Sequence, residues 1–310
     1  MFPTLGRLVS YAMIVACATS VAAAETQRPL VLSTDFGTTE RFVASMKGVA
    51  LSVDPSLQVH DLTHHIEPFN VWQASYMLAG TIDYWPEGTV FVSVVDPGVG
   101  TDRRSVVVKT GTGHYVVTPD NGSLTLVADQ QGIVEVRQID ETINRRPHSG
   151  DSHTFHGRDV YAYTGARLAG AVITFAEVGP LLEPEIMRLP YERPRQLDDG
   201  SVIGNITHIE MPFGNVVTNI PKSLLDALGV APGENVAMLV EISQADRQVF
   251  QQKLPYVPSF GFVDQDTPLL YSDSLQTIGL AVNSGNFAQE YNVQAGADWT
   301  IRLVKSISMR

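Results

Sequence analysis

Three segments carry side chains able to do chemistry, and the first two follow runs that predict strands. Asp35 closes Leu32-Ser33-Thr34-Asp35-Phe36-Gly37, and Asp96 opens Asp96-Pro97-Gly98-Val99-Gly100-Thr101-Asp102-Arg103-Arg104. In open parallel sheets ligands settle at the carboxyl ends of strands, where a carboxylate can accept both hydroxyls of a ribose. Helix capping or a turn is the plainer reading of each acid alone, and two acids at two strand ends weaken it. The glycines after Asp96 allow a tight turn and close ligand approach, but the Gly-Lys-Ser/Thr ending of a phosphate loop is missing. The third segment is Asp151-Ser152-His153-Thr154-Phe155-His156-Gly157-Arg158-Asp159, with His156 near a predicted helix start. The helix dipole there disfavours imidazolium, so a neutral His156 could hold water or hydroxide. Two other readings stand beside it. His153 and His156 with Asp151 and Asp159 could bind a metal, with His64-His65 as further ligands, or His156 could simply pack; adjacent histidines in extended chain point opposite ways, which favours a turn role for His64-His65.

The second half of the chain offers fewer reactive groups. Glu210-Met211-Pro212-Phe213-Gly214-Asn215 sets an aromatic ring and an amide in a Pro/Gly turn, a pair that could stack on a base and bond its edge. A plain β-turn explains it nearly as well. Asn283-Ser284-Gly285-Asn286-Phe287 is a polar turn after an apolar strand.

Positioning these groups requires two kinds of architecture. From Pro29 to about Val178, strand runs (Pro29–Ser33, Gln58–Leu62, Thr89–Val95) alternate with helical spacing (Phe42, Val43, Met46, Val49, Ala50, Val53; then Val71, Ala74, Leu78, Ile82). That alternation predicts βαβ units and an α/β fold with a mostly parallel sheet. Ser105–Lys109 and His114–Thr118 read as a hairpin at its edge. Pro180, Pro184, Pro190 and Pro194 mark a linker over 181–198, and short β-rich runs beyond it predict an all-β, barrel-like domain over 199–310, following an N-terminal α/β domain over 25–180.

Residues 1–24 read as a signal peptide: Arg7, an apolar stretch from Leu8 to Ala16, then Ala22-Ala23-Ala24 before Glu25. The expected location is periplasmic or secreted; Ile14-Val15-Ala16-Cys17 loosely resembles a lipobox, so anchoring through Cys17 is the lesser alternative. Cleavage would remove the chain's one cysteine and leave no thiol chemistry. No other stretch is long and apolar enough to span a bilayer. The 310 residues carry a net charge of −12, which argues against a nucleic-acid partner and weakly favours a small cationic ligand.

In order along the chain, "STDFGTTERFVASMKG", "DLTHHIEPFNVWQAS", "PEGTVFVSVVDPGVGT", "TPDNGSL", "TFHGRD", "PFGNVVTNI" and "VNSGNF" resemble the S-adenosyl-L-methionine hydroxide adenosyltransferase family, relatives of the fluorinase and chlorinase. The resemblance spans roughly residues 29 to 304. It implies an N-terminal α/β domain, a C-terminal β-barrel, and a homotrimer with active sites between subunits. It also implies hydrolysis of S-adenosyl-L-methionine to adenosine and methionine without metal or other cofactor. Asp96, Arg103 and His156 would hold the attacking water or hydroxide, and Asp35 the ribose diol. Phe213 and Asn215 would contact adenine, Ser284 the methionine carboxylate, and Glu210, where the family has Asp, the methionine amine. Halogenating relatives carry tyrosine and threonine in place of Asp96 and Val99 and serine in place of Gly157, so halide chemistry is not expected. Two other function classes remain open from sequence: a metal-dependent periplasmic hydrolase of a nucleotide-like substrate, and an exported nucleoside-binding protein without catalysis.

Overall fold

Leu30–Thr34 (β1) is buried along its whole length, as a strand covered on both faces must be. Its alternation feeds two cores: Leu30 and Leu32 enter one, Val31 the other. This computed structural model describes residues 27–306 with Glu234 left aside, so the expected signal segment, Cys17 included, lies outside the described residues.

After β1 come α1 (Arg41–Val53), β2 (Val59–Thr63), α2 (Val71–Ala79) and β3 (Val90–Val94). Helix α1 turns Val43, Met46, Val49 and Ala50 inward, at the three- and four-residue spacing of one helical face. Helix α2 starts at Asn70, whose side chain accepts from the Gln73 amide at 2.9 Å. Then follow β4 (Ser105–Thr110), β5 (Tyr115–Pro119), α3 (Thr125–Gln131), β6 (Ile133–Gln138) and α4 (Glu141–Asn144), a π-helix over Gly157–Ala162 that runs into α5 (Tyr163–Ala169), and β7 (Leu181–Leu182). The sheet order is β2-β1-β3-β5-β4-β6-β7. Strands β2, β1, β3 and β5 are parallel, and β6, antiparallel to β4, shares their direction, so the sheet is mostly parallel. The core holding Leu30 and Leu32 includes Met46 of α1 and Ala166 of α5; the core holding Val31 includes Trp72 of α2 and Leu126 of α3. Helices therefore cover both faces, an α/β sandwich.

The predicted hairpin forms from β4 and β5, but not at the sheet edge. Strand β5 inserts beside β3, and β4 pairs on its far side with β6. Pairing on both sides satisfies the backbone N–H and C=O groups of β4, which an edge position would leave open along one side.

The C-terminal part comprises β8 (Arg195–Gln196), β9 (Val202–Glu210), β10 (Asn215–Pro221), α6 (Lys222–Ala227), β11 (Ala237–Gln244), β12 (Arg247–Pro255), β13 (Pro268–Ser272), β14 (Thr277–Val282), α7 (Phe287–Glu290) and β15 (Trp299–Ser306). The order β12-β11-β15-β9-β10-β14-β13 is antiparallel throughout, and a bridge between Tyr256 and Leu270 brings its two ends together, so the sheet is a nearly closed barrel. The two parts touch through α2 and β9: Trp72 Nε1 donates to the Thr207 carbonyl at 3.0 Å, and Tyr76 stacks on His208 at 4.5 Å.

Candidate functional site

Strands β1 and β3 are neighbours in register, with Thr34 opposite Val94, so the residues that follow them emerge at one end of the sheet. Asp35 and Asp96 stand there. Strand β4 runs the other way, which brings its entry residue Arg103 to the same end. The helical segment beginning at His156 packs against this end and completes the group.

Asp96 and Arg103 form a two-point ion pair: Arg103 Nε donates to Asp96 Oδ1 at 2.7 Å, and Nη2 donates to Oδ2. Their side chains are 5% and 11% exposed, so the pair is largely out of water. Arg103 Nη1 donates to Ser105 Oγ at 2.8 Å, and Arg103 Nη2 faces His156 Nδ1 at 3.2 Å. Burial opposes the charge on Arg103, but hydrogen bonding to Asp96 and neighbouring negative charge hold its pKa above the usual value. Tyr161, fully buried, places its hydroxyl 3.1 Å from Ser105 Oγ and 3.5 Å from Asp96 Oδ2. Burial, then the Asp96 charge, push its phenol pKa up, so it stays protonated.

His156 is buried, and its pKa lies below the ordinary imidazole value. Burial is the main cause; Glu141 opposes it, Arg103 and Arg145 reinforce it, and Asp96 opposes it. The neutral ring expected from a helix start is therefore present, though burial and two guanidiniums account for it. The other ring nitrogen, Nε2, lies 3.1 Å from Arg145 Nη2. Arg145 is itself bound by Glu141 Oε2 at 3.0 and 2.7 Å.

A cleft of about 320 Å³ opens on this group, lined among others by Asp35, Phe36, Phe69, Asp96, Phe155, His156 and Gly157. Asp35 Oδ2 accepts from the Phe69 amide at 2.9 Å, and burial raises the Asp35 pKa. Phe36, Phe42 and Phe155 meet edge to face or tilted at 5.4–5.8 Å and wall the cleft with apolar surface. Gly157 lies tight against that wall: a Cβ there would be 3.1 Å from the Phe36 ring.

Glu210, Phe213, Asn215 and Ser284 also converge, but elsewhere. They line a separate cleft of about 620 Å³ on the barrel, together with Tyr271 and Asn286. Asn215 Nδ2 donates to Glu210 Oε2 at 2.8 Å, and Phe213 is 64% exposed. Gly214 adopts φ +69° beneath Asn286, so close that any side chain would collide. The sequence thus placed three residues of one cleft and four of the other, yet within this chain the two clefts share no lining residue.

The alternative metal cluster does not assemble. Asp159 is buried against Arg158, which donates at 2.8 and 2.7 Å, and both His156 nitrogens face guanidiniums. Among the described residues no group of three or more His, Cys, Asp or Glu could hold a metal ion. His64 is buried and links Thr34 Oγ1 (2.8 Å) to Asp61 Oδ1 (2.9 Å), while His65 is exposed, the opposite facing that adjacent residues predict. Sequence reasoning missed Glu141, Arg145 and Tyr161. Tyr161 sits in the helical run after His156, but nothing in the spacing of Glu141 and Arg145 marks them apart from an ordinary surface pair four residues apart.

Comparison with known proteins bears on this geometry. Residues 30–179 match the profile of the SAM hydroxide adenosyltransferase N-terminal domain, and residues 204–300 that of the C-terminal domain. A Methanocaldococcus jannaschii protein named (R)-S-adenosyl-L-methionine hydrolase is 39% identical over 62% of this chain and 67% of its own length. A fluorinase from Actinoplanes sp. is 30% identical over 88% of this chain and 96% of its own. The crystal structure of a conserved protein from Thermotoga maritima superposes with a TM-score of 0.78 at 34% identity, covering 89% of this chain and all of that one.

Proposed function

The chain belongs to the SAM hydroxide adenosyltransferase family, and on that premise we propose that it hydrolyses S-adenosyl-L-methionine to adenosine and L-methionine. The observation that carries this reading is the buried Asp96–Arg103 pair with a neutral His156 beside it, on the wall of a cleft that also holds Asp35.

A water oxygen attacks C5′ of the ribose. The C5′–S bond breaks with its electron pair passing to sulfur, and methionine leaves as a neutral thioether. Because the leaving group is already cationic, no acid need protonate it. The protein's task is to align oxygen, C5′ and sulfur and to exclude other water. Arg103 cannot serve as base, since a guanidinium keeps its proton below a pH of about 12. That leaves His156 and Asp96 to orient the water and take its proton. Asp35 holds the ribose diol. Phe213 and Asn215 contact adenine, Ser284 the methionine carboxylate, and Glu210 the ammonium. No step in this scheme calls for a metal.

The two clefts supply different halves of this substrate. We therefore place the complete site between subunits of a homotrimer, the Asp35 cleft of one copy facing the Phe213 cleft of its neighbour. Support comes from the aromatic rims, Phe69 at 70% and Phe213 at 64% exposed. From the pattern of residues 1–24 we also propose that the mature chain works outside the cytoplasmic membrane.

Incubation with S-adenosyl-L-methionine, chloride and fluoride, followed by chromatography, tests the reading. Adenosine and methionine are expected. A halogenated nucleoside, or substrate recovered unchanged, would refute it, the latter pointing to a binding protein.

A further inference from the structure

His156 lies between two guanidiniums, one at each ring nitrogen: Arg103 Nη2 at 3.2 Å from Nδ1 and Arg145 Nη2 at 3.1 Å from Nε2. Each guanidinium has its own carboxylate, Asp96 for Arg103 and Glu141 for Arg145. A neutral imidazole has one lone pair and one N–H, so it can accept from only one of them.

We infer that Arg145 is a positioning residue: it donates to His156 Nε2, fixes the ring as the tautomer protonated on Nδ1, and so makes His156 a hydrogen-bond donor to the attacking oxygen rather than its base. This rests on the hydrolase reading above.

The donors of the two arginines decide between the tautomers. Arg145 Nε and Nη2 donate to Glu141, and Nη1 donates to the carbonyls of Ser149 and Ser152 at 3.3 and 3.2 Å. The second Nη2 hydrogen then has His156 Nε2 as its acceptor, and the five N–H groups of the guanidinium are all satisfied. With the opposite tautomer, an N–H would face an N–H in a pocket where the Arg145 side chain is 11% exposed, a costly arrangement. On the Nδ1 side the same conflict has a remedy. His156 and Asp96 line the substrate cleft and neither arginine does, but Arg103 is joined at two points to Asp96 whereas Arg145 pairs with Glu141, which lies off the cleft, so an oxygen entering beside Asp96 can sit between Nδ1–H and Arg103 Nη2–H and accept from both. That leaves the water's hydrogens directed at Asp96. As oxygen bonds to C5′ and sulfur takes the C5′–S pair, one water proton passes to the Asp96 carboxylate, which returns it to solvent.

The charged groups facing the ring are Asp96, Arg103, Glu141 and Arg145, with the His153 ring 6.4 Å away. Removing the Arg145 charge leaves Glu141 unopposed beside the imidazole, which favours its protonated form.

Nuclear magnetic resonance of protein labelled with ¹⁵N-histidine, the His156 signals assigned with His156→Gln, reads the tautomer directly and without reference to activity. The native protein is expected to carry its proton on Nδ1. Arg145→Met is expected to lose that preference, to lower kcat about 10-fold or more with little change in KM, and to move the acid limb of the kcat profile to higher pH. Arg145→Lys, which keeps a charged donor, should restore the tautomer and much of the rate. A native proton on Nε2, or an Arg145→Met protein with native tautomer and native pH profile, overturns the assignment. Should Arg145→Met not fold, the native spectrum alone decides. A native enzyme with the expected tautomer but no hydrolase activity would instead refute the hydrolase reading and leave the tautomer standing.

Discussion

Asp96 and Arg103 offer a cycle in which stability and activity must part company. Both side chains are nearly buried and joined at two points, so Asp96→Ala leaves a guanidinium, and Arg103→Met a carboxylate, without a counter-charge. Removing one partner of a buried pair costs about 3–5 kcal/mol, whereas replacing both with apolar groups is often close to neutral. At roughly 2–4 °C per kcal/mol for a domain of this size, each single variant should melt about 6–20 °C lower. The double variant Asp96→Ala/Arg103→Met should recover most of that loss, so that its destabilisation falls several kcal/mol short of the sum of the two singles in calorimetry or denaturant titration. Turnover should not follow. Each single variant should lose about 10²-fold or more in kcat, and the double should be no worse than the poorer single, because the groups act as a unit. Singles within 1 kcal/mol of wild type, or a double whose stability loss equals the sum of the singles, would show that the pair is not the buried, interdependent unit described. Near-native turnover in either single would remove it from the chemistry.

Four further outcomes follow from the same structure. His156→Ala should fold yet lose about 10²-fold in turnover, checked by steady-state kinetics beside a melting curve. Because burial and the two arginines keep the His156 pKa below the ordinary value, kcat should hold at neutral pH and fall only as acid charges the ring; a limb at or above pH 6.5 would contradict that. His208, 9% exposed and stacked on Tyr76, has its pKa pushed down to about 4 by burial. A lowered imidazole pKa contributes stability fully present above about 6.5 and lost as pH falls through about 4, some 3 kcal/mol in all, so His208→Phe should resist acid unfolding better than wild type. Gly157→Ala, whose new methyl would press on Phe36 at 3.1 Å, should cost about 1–3 kcal/mol in stability and lower kcat/KM, measured by melting and kinetics.

What could be read in the sequence divides along a physical line. Residues whose position is set by the chain just before them were legible: Asp35 and Asp96 terminate apolar strand runs, and a parallel sheet sends both to one end. The antiparallel return of β4 delivers Arg103 seven residues after Asp96, a pairing that the sequence suggested only through the family resemblance. The hairpin's strands were visible as well, but its place was not, since whether β4 lies at an edge depends on β6 pairing from 23 or more residues away. His156 was found by its polar neighbours, whereas its partner Arg145 was hidden. Arg145 reaches the ring across an 11-residue connection held by carbonyls of Ser149 and Ser152, and backbone acceptors carry no signature in residue type. The same holds for His64, whose adjacency to His65 suggested a turn, while its buried bridge between Thr34 and Asp61 exists only because β1 and β2 pair side by side. Candidate site residues at the ends of strands show in a linear pattern; the groups that bias their protonation act from behind, through contacts that only the folded chain creates. The electrostatics of the site must therefore be read from the fold, and Arg145 is where that reading changes the chemistry assigned to His156, from proton acceptor to donor.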